Sequence, residues 1–151
     1  MSLRSSFRDR ISAARIGIEF RARVVPEHET AWPFSLTSFP GIVVVRGQVS
    51  AGHSGWVLAA STLKRRRKVT LQIAARPRTA TIVPDIEQHE YEAVLSGLSG
   101  EYDIFVSHVF YAEGYATSLP EPRYLGRVVL TAPLILTFLL DLGERMLLSM
   151  A

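Results

Sequence analysis

The chain of 151 residues contains no cysteine. That excludes a disulfide framework, thiol catalysis and cysteine-ligated zinc or iron–sulfur sites, and it fits a reducing compartment. Lysine and arginine are missing from residues 79–122, which hold 8 Asp and Glu. The counterweight lies upstream, where residues 1–78 hold 14 Lys and Arg against 4 Asp and Glu. A polarity this strong suits an anionic surface on one side and a basic partner on the other, or two halves that neutralise each other across the fold. No apolar stretch reaches the roughly 20 residues of a membrane span. The longest uncharged one near the end, Val128 to Leu140, is 13 residues. The first twenty residues lack the apolar core of a secretory signal, and Asp9 and Glu19 argue against an organelle leader. A place on the cytoplasmic side is expected.

Familiar catalytic patterns are missing too. Neither a phosphate-binding GxxxxGK[ST] loop nor GxGxxG nor HExxH occurs. The stretch AGHSGW, residues 51–56, fails as a GxSxG nucleophile elbow because Trp56 stands where glycine is required. Glu87 and His89 would share one face of a strand and could hold a divalent cation, but two donors fall short of the three a catalytic zinc needs. The plainer reading is a solvated acidic strand. His108 alternates with Ile104, Val106 and Phe110, so it is expected to point inward as a hydrogen-bonded core histidine. The expectation is a protein without enzymatic activity, cofactor or metal.

What is present divides the chain in three. Over residues 1–41, Leu3, Phe7, Ile11, Ala14 and Ile18 recur at helical spacing with Arg4, Arg8 and Arg15 off that face. This predicts a basic amphipathic helix over about 5–17, lying on an anionic membrane, on a partner, or on its own domain. A connector with Pro26, Pro33 and Pro40 follows, its Trp32, Phe34 and Phe39 plugging into the domain. Residues 42–131 switch to a period of two, with short strands punctuated by Gly and Pro. The pattern predicts an antiparallel β-sandwich or barrel, of which the sandwich is the expected fold. Val43, Val45 and Val49 share one face, as do Val69, Leu71, Ile73 and Ala75. TATIV, residues 79–83, reads as a further short strand.

Within this domain, Leu98, Gly100 and Tyr102 stand in the segment YEAVLSGLSGEYDIFV. It resembles the tyrosine corner of immunoglobulin-like and fibronectin type III-like domains, and the turn is similar to one in transthyretin-like modules. The resemblance covers about sixteen residues and implies a fold of that kind. Leu98 would plug the core, Gly100 would make the turn and the Tyr102 hydroxyl would bond backbone near the corner. It implies no catalysis.

Residues 132–151 predict a C-terminal helix with an oversized apolar face. Thr137, Asp141, Glu144, Arg145 and Ser149 form one polar stripe, and Leu134, Phe138, Leu142 and Met146 lie on the apolar side. That face packs on the sandwich, lies in a membrane interface, or enters a partner's groove. The run Lys64, Arg65, Arg66, Arg67 and Lys68 reads as an inter-strand loop for anionic lipid, for phosphates, or for the protein's own acidic half.

Together these features predict a non-enzymatic accessory subunit. It would dock by Phe7, Ile11, Lys64–Lys68 and the C-terminal helix onto a larger protein complex at an anionic membrane surface, as an extrinsic subunit of a respiratory or photosynthetic assembly does. Two rivals stand beside it: a nucleic-acid-associated module using the KRRRK run, and a small-ligand carrier or enzyme using the sandwich interior.

Overall fold

A computed structural model describes residues 16–51, 55–78, 86–112, 115–118 and 121–131. Every regular element among them is a strand. Phe7 and Ile11 of the expected N-terminal helix, Leu134, Phe138, Leu142 and Met146 of the expected C-terminal helix, and the expected strand at 79–83 lie outside the described residues.

The nine strands among the described residues form two sheets. Sheet I has the order β1-β6-β3-β2, from β1 (Gly17–Val24), β2 (Ser35–Phe39), β3 (Ile42–Ala51) and β6 (Glu87–Ser96), all antiparallel. Sheet II runs β4 (Trp56–Arg65), β5 (Lys68–Pro77) and β7 (Gly100–Ala112). The free edge of β7 is shared by β8 (Tyr115–Ser118) at one end and β9 (Arg123–Leu130) at the other. The fold is therefore mainly β with two sheets of the sandwich kind.

The expected all-antiparallel arrangement needs one correction, because β5 and β7 pair in parallel. Parallel neighbours need a long crossover, usually a helix. Here β6 takes that place in the chain: the chain leaves β5, runs along the opposite sheet and returns as β7. Sheet II is mixed for that reason.

The core follows from the alternation of side chains along each strand. β3 turns Val43, Val45 and Val49 inward, and β5 turns Val69, Leu71, Ile73 and Ala75 inward, all buried. Tyr91, Ala93 and Leu95 of β6 and Ile104 and Val106 of β7 meet them. At the corner, Leu98 is buried, Gly100 takes φ 102° and the Tyr102 hydroxyl donates to the Ser99 carbonyl at 2.8 Å. The left-handed backbone at that position favours glycine.

Two strands fall where an arm and a connector were expected. Ile18 belongs to β1 and not to a helix, and Ile16, Ile18 and Phe20 pack on the core. β2 lies between Pro33 and Pro40 at the edge of sheet I, where the missing amide donors of proline are tolerated. Phe34 reaches the core as expected, whereas Phe39 is 54% exposed.

The acidic strand is not solvated. β6 is central in sheet I, and His89, Glu90 and Glu92 are all buried. Alternation puts Glu90 and Glu92 on the face away from the core, under arginines from both neighbouring strands. Glu92 accepts from Arg21 at 2.5 Å and Arg46 at 2.8 Å, and Glu90 accepts from Arg23 at 2.7 Å and the Trp32 amide at 3.2 Å. Arg46 also lies 5.0 Å above the Trp32 ring. These bonds, Arg21 first, hold the Glu92 carboxyl below its ordinary pKa. The basic first half and the acidic second half thus neutralise each other across sheet I.

Candidate functional site

The cationic run is not a five-residue loop. Lys64 and Arg65 end β4, Arg66 and Arg67 make the turn, and Lys68 opens β5. Arg66 takes φ 55°, the single non-glycine residue with positive φ among the described residues. Tight hairpins demand that conformation, and Gly or Asn normally supplies it. An arginine there stores backbone strain.

The pleat then distributes the charges. Arg65 and Lys68 are cross-strand partners and project from the outer face of sheet II. Lys64 lies on the opposite side, its ammonium 5.2 Å from the Tyr102 ring. Arg67 reaches Glu101 at 3.8 Å, and its carbonyl accepts from the Asp103 amide at 2.7 Å, which ties the turn to β7. Glu101 is shared with Arg127 at 3.1 Å, and Arg127 also holds Asp103 at 3.0 Å. The Arg127 bond is the main cause that keeps the Asp103 carboxyl below its ordinary pKa.

Among the described residues, Lys64, Arg65, Arg66 and Lys68 have no acidic partner, although all four are exposed. This differs from Arg21, Arg23 and Arg46, which pair with carboxylates of β6. Among the described residues, Glu90 and Glu92 pair on sheet I and Glu101 and Asp103 pair with Arg127, with Arg67 also reaching Glu101. Beside Arg65 and Lys68 runs a groove of about 260 Å³, which Leu63, Thr70, Gln72 and Ser107 also line. Two cations, two hydroxyls and an amide surround it, a donor set that suits an anionic oxygen group.

Aromatic rings flank the same face. The Lys68 ammonium lies 4.5 Å above Phe105, and Phe105 packs on Tyr124 with centroids 5.2 Å apart. Arg76, further along β5, lies 4.4 Å above Tyr111. The run KRRRK contains no aromatic residue, so only tertiary pairing of β5 with β7 and of β7 with β9 brings these rings to it.

Glu87 and His89 do share a face, with Oε1 and Nε2 2.9 Å apart. The angles are not those of a hydrogen bond, and the His89 ring nitrogens have no hydrogen-bond partner among the described residues. The described residues contain no group of three or more potential ligands for a metal ion. His108 turns inward as expected and shares a hydrogen bond with the buried Tyr91 hydroxyl at 2.9 Å. Burial, with the nearby Arg123 charge second, lowers its pKa from the ordinary 6.5, so the ring is neutral near pH 7. Residues 52–54 of AGHSGW lie outside the described residues. No known protein family, curated protein or solved structure matches the chain.

Proposed function

We propose that this protein is a non-enzymatic accessory module that docks onto an anionic surface, at a membrane-associated assembly, through the β4–β5 hairpin and the outer face of sheet II. One observation supports the reading: among the described residues, the arginines of sheet I pair with carboxylates, whereas Lys64, Arg65, Arg66 and Lys68 are exposed without acidic partners. Each such cation near an anionic bilayer contributes about 1 kcal/mol. The strained Arg66 supports it, since a turn selected for stability alone would place glycine there. Exposed Leu63, beside Arg65, adds an apolar contact to the same rim.

The finer fold assignment belongs to this proposal as well. The Leu98–Gly100–Tyr102 corner supports a sandwich of the immunoglobulin-like or transthyretin-like kind. The helix expected over 133–150 supplies a second docking element in this reading.

The test is fractionation of cells expressing the full chain, followed by gentle-detergent pull-down. The docking reading expects the wild type with membranes and a stable partner set, and loss of both on Arg65→Gln, Arg66→Gln and Lys68→Gln together. A triple variant that fractionates like the wild type contradicts it.

A second reading, single-stranded nucleic acid, is favoured by Phe105 and Tyr124 standing beside Lys68, because stacking rings next to phosphate-binding cations are what such readers use. It predicts oligonucleotide binding that weakens steeply with salt and is reduced by Phe105→Ala.

A further inference from the structure

A second concave site lies on the other side of sheet II, between the two sheets, and does not depend on the hairpin. It has a volume of about 410 Å³. Val49 of β3 and Val106 and Phe110 of β7 give it apolar walls. Phe34, His108 and Arg123 line it as a connected stack, and Gln48, Ser50 and Glu121 complete the lining. The Phe34 and His108 rings are stacked with centroids 5.8 Å apart, and the Arg123 guanidinium lies 4.1 Å from the Phe34 centroid.

The stack is held from behind. Tyr91, buried in the core, meets His108 edge-on and shares the 2.9 Å hydrogen bond with it. Gly47 of β3 makes the room: a Cβ there would lie 2.5 Å from the Tyr91 hydroxyl oxygen and 2.8 Å from Phe34. Phe34 and His108 are thus fixed by the core, and Arg123 rests on a preformed ring.

β9 pairs Arg123 with Val106, an inward residue of β7, which puts it on the core-facing side of the strand, exposed at the mouth of the cleft. It forms no ion pair among the described residues, and Glu121, which also lines the cleft, is not within ion-pair distance of it. Stacking occupies the guanidinium's face and leaves its edge donors, the groups that hold a planar carboxylate in two parallel bonds.

We infer that this cleft binds a small organic monocarboxylate, its carboxylate on Arg123 and its apolar body against Val49, Val106 and Phe110. With His108 neutral, Arg123 is the one cation lining the cleft among the described residues, and the Glu121 carboxylate on the same lining disfavours a phosphate dianion more than a monoanion. Burial of an apolar body favours binding in proportion to the surface it removes from water. That is why the site selects an acid with a hydrocarbon tail over the bare anion.

The experiment is a titration of the full chain with octanoate, 1-octanol and inorganic phosphate, followed by calorimetry and by the ring signals of His108. The wild type is expected to bind octanoate saturably, to bind octanol at least tenfold more weakly and to ignore phosphate. Arg123→Gln is expected to lower octanoate affinity at least tenfold with the fold intact by circular dichroism, and Arg123→Lys to restore part of it. The inference is overturned by no saturable octanoate binding, by equal binding of octanol, by competition from phosphate, or by an Arg123→Gln variant that binds like the wild type. Neutralising the hairpin is expected to leave octanoate binding unchanged, so failure here and failure of the docking proposal are separate results.

Discussion

Replacing Gly47 by alanine adds one carbon where the core has no room for it. The new Cβ would sit 2.5 Å from the Tyr91 hydroxyl oxygen, 2.7 Å from the Tyr91 Cζ and 2.8 Å from Phe34 Cε1. Tyr91 is fully buried and flanked by Phe20 and His108, with centroids 6.0 and 5.7 Å away, so its ring has no free direction of retreat. Overpacking of this kind costs about 1–3 kcal/mol. Displacing the ring also breaks the Tyr91–His108 hydrogen bond, a further loss of about 1 kcal/mol. Lower chain entropy of alanine in the unfolded state returns roughly 0.5 kcal/mol. The expected destabilisation is therefore about 1.5–3.5 kcal/mol, a sizeable share of the 5–15 kcal/mol typical of a domain. Urea unfolding followed by the fluorescence of Trp32 and Trp56 measures it. In a Tyr91→Phe background the closest contact is gone and the hydrogen bond is already lost, so the same substitution should cost less by at least about 0.5 kcal/mol. A Gly47→Ala variant within about 0.5 kcal/mol of wild type, or equal costs in the two backgrounds, refutes the packing argument.

Three further outcomes follow from other parts of the molecule. Arg66→Gly relieves the left-handed arginine in the hairpin and should raise stability, by under about 1 kcal/mol, while weakening attachment to anionic vesicles; urea midpoints and sedimentation read the two effects. His108 has a folded pKa below 6.5, so below pH 6.5 the unfolded chain takes up a proton that the folded one refuses. Stability should fall as pH drops from about 6.5 towards the folded pKa, and His108→Gln should flatten that part of the profile in urea titrations at pH 7 and pH 5. Arg23→Met should lower the urea midpoint more than Arg21→Met, because Glu92 keeps Arg46 when Arg21 is lost, whereas buried Glu90 keeps only the Trp32 amide.

Period-two alternation made β3, β5 and β7 legible, since each carries three or more apolar residues on one face. Val128 and Leu130 did the same for β9. β1 was hidden because Ile18 completes a helical spacing with Ile11 and Ala14, and only pairing along the whole of β6 decides for a strand. β2 was hidden by its flanking prolines, which an edge strand tolerates. The burial of β6 could not be read locally. Glu92 meets arginines 71 and 46 positions away, and a carboxylate loses its solvated character only once those partners are in place.

The candidate site was legible in charge and not in shape. KRRRK announced cations, but the two-residue turn, the split of Arg65 and Lys68 from Lys64, and the rings of Phe105 and Tyr124 arise from strand pairing. The cleft at Arg123 had no sequence signal apart from His108, because Phe34, Val49, His108 and Arg123 come from four separate segments.

Docking of the hairpin cations, which have no acidic partner among the described residues, onto an anionic surface is read by sedimentation of the full chain with phosphatidylglycerol-containing and pure phosphatidylcholine vesicles at physiological salt. The chain is expected to bind the anionic vesicles alone. Replacing Arg65, Arg66 and Lys68 by glutamine should weaken this binding roughly 100-fold, the effect of about 3 kcal/mol from three charges. Equal binding to both vesicle types, or a triple variant that binds like the wild type, contradicts it.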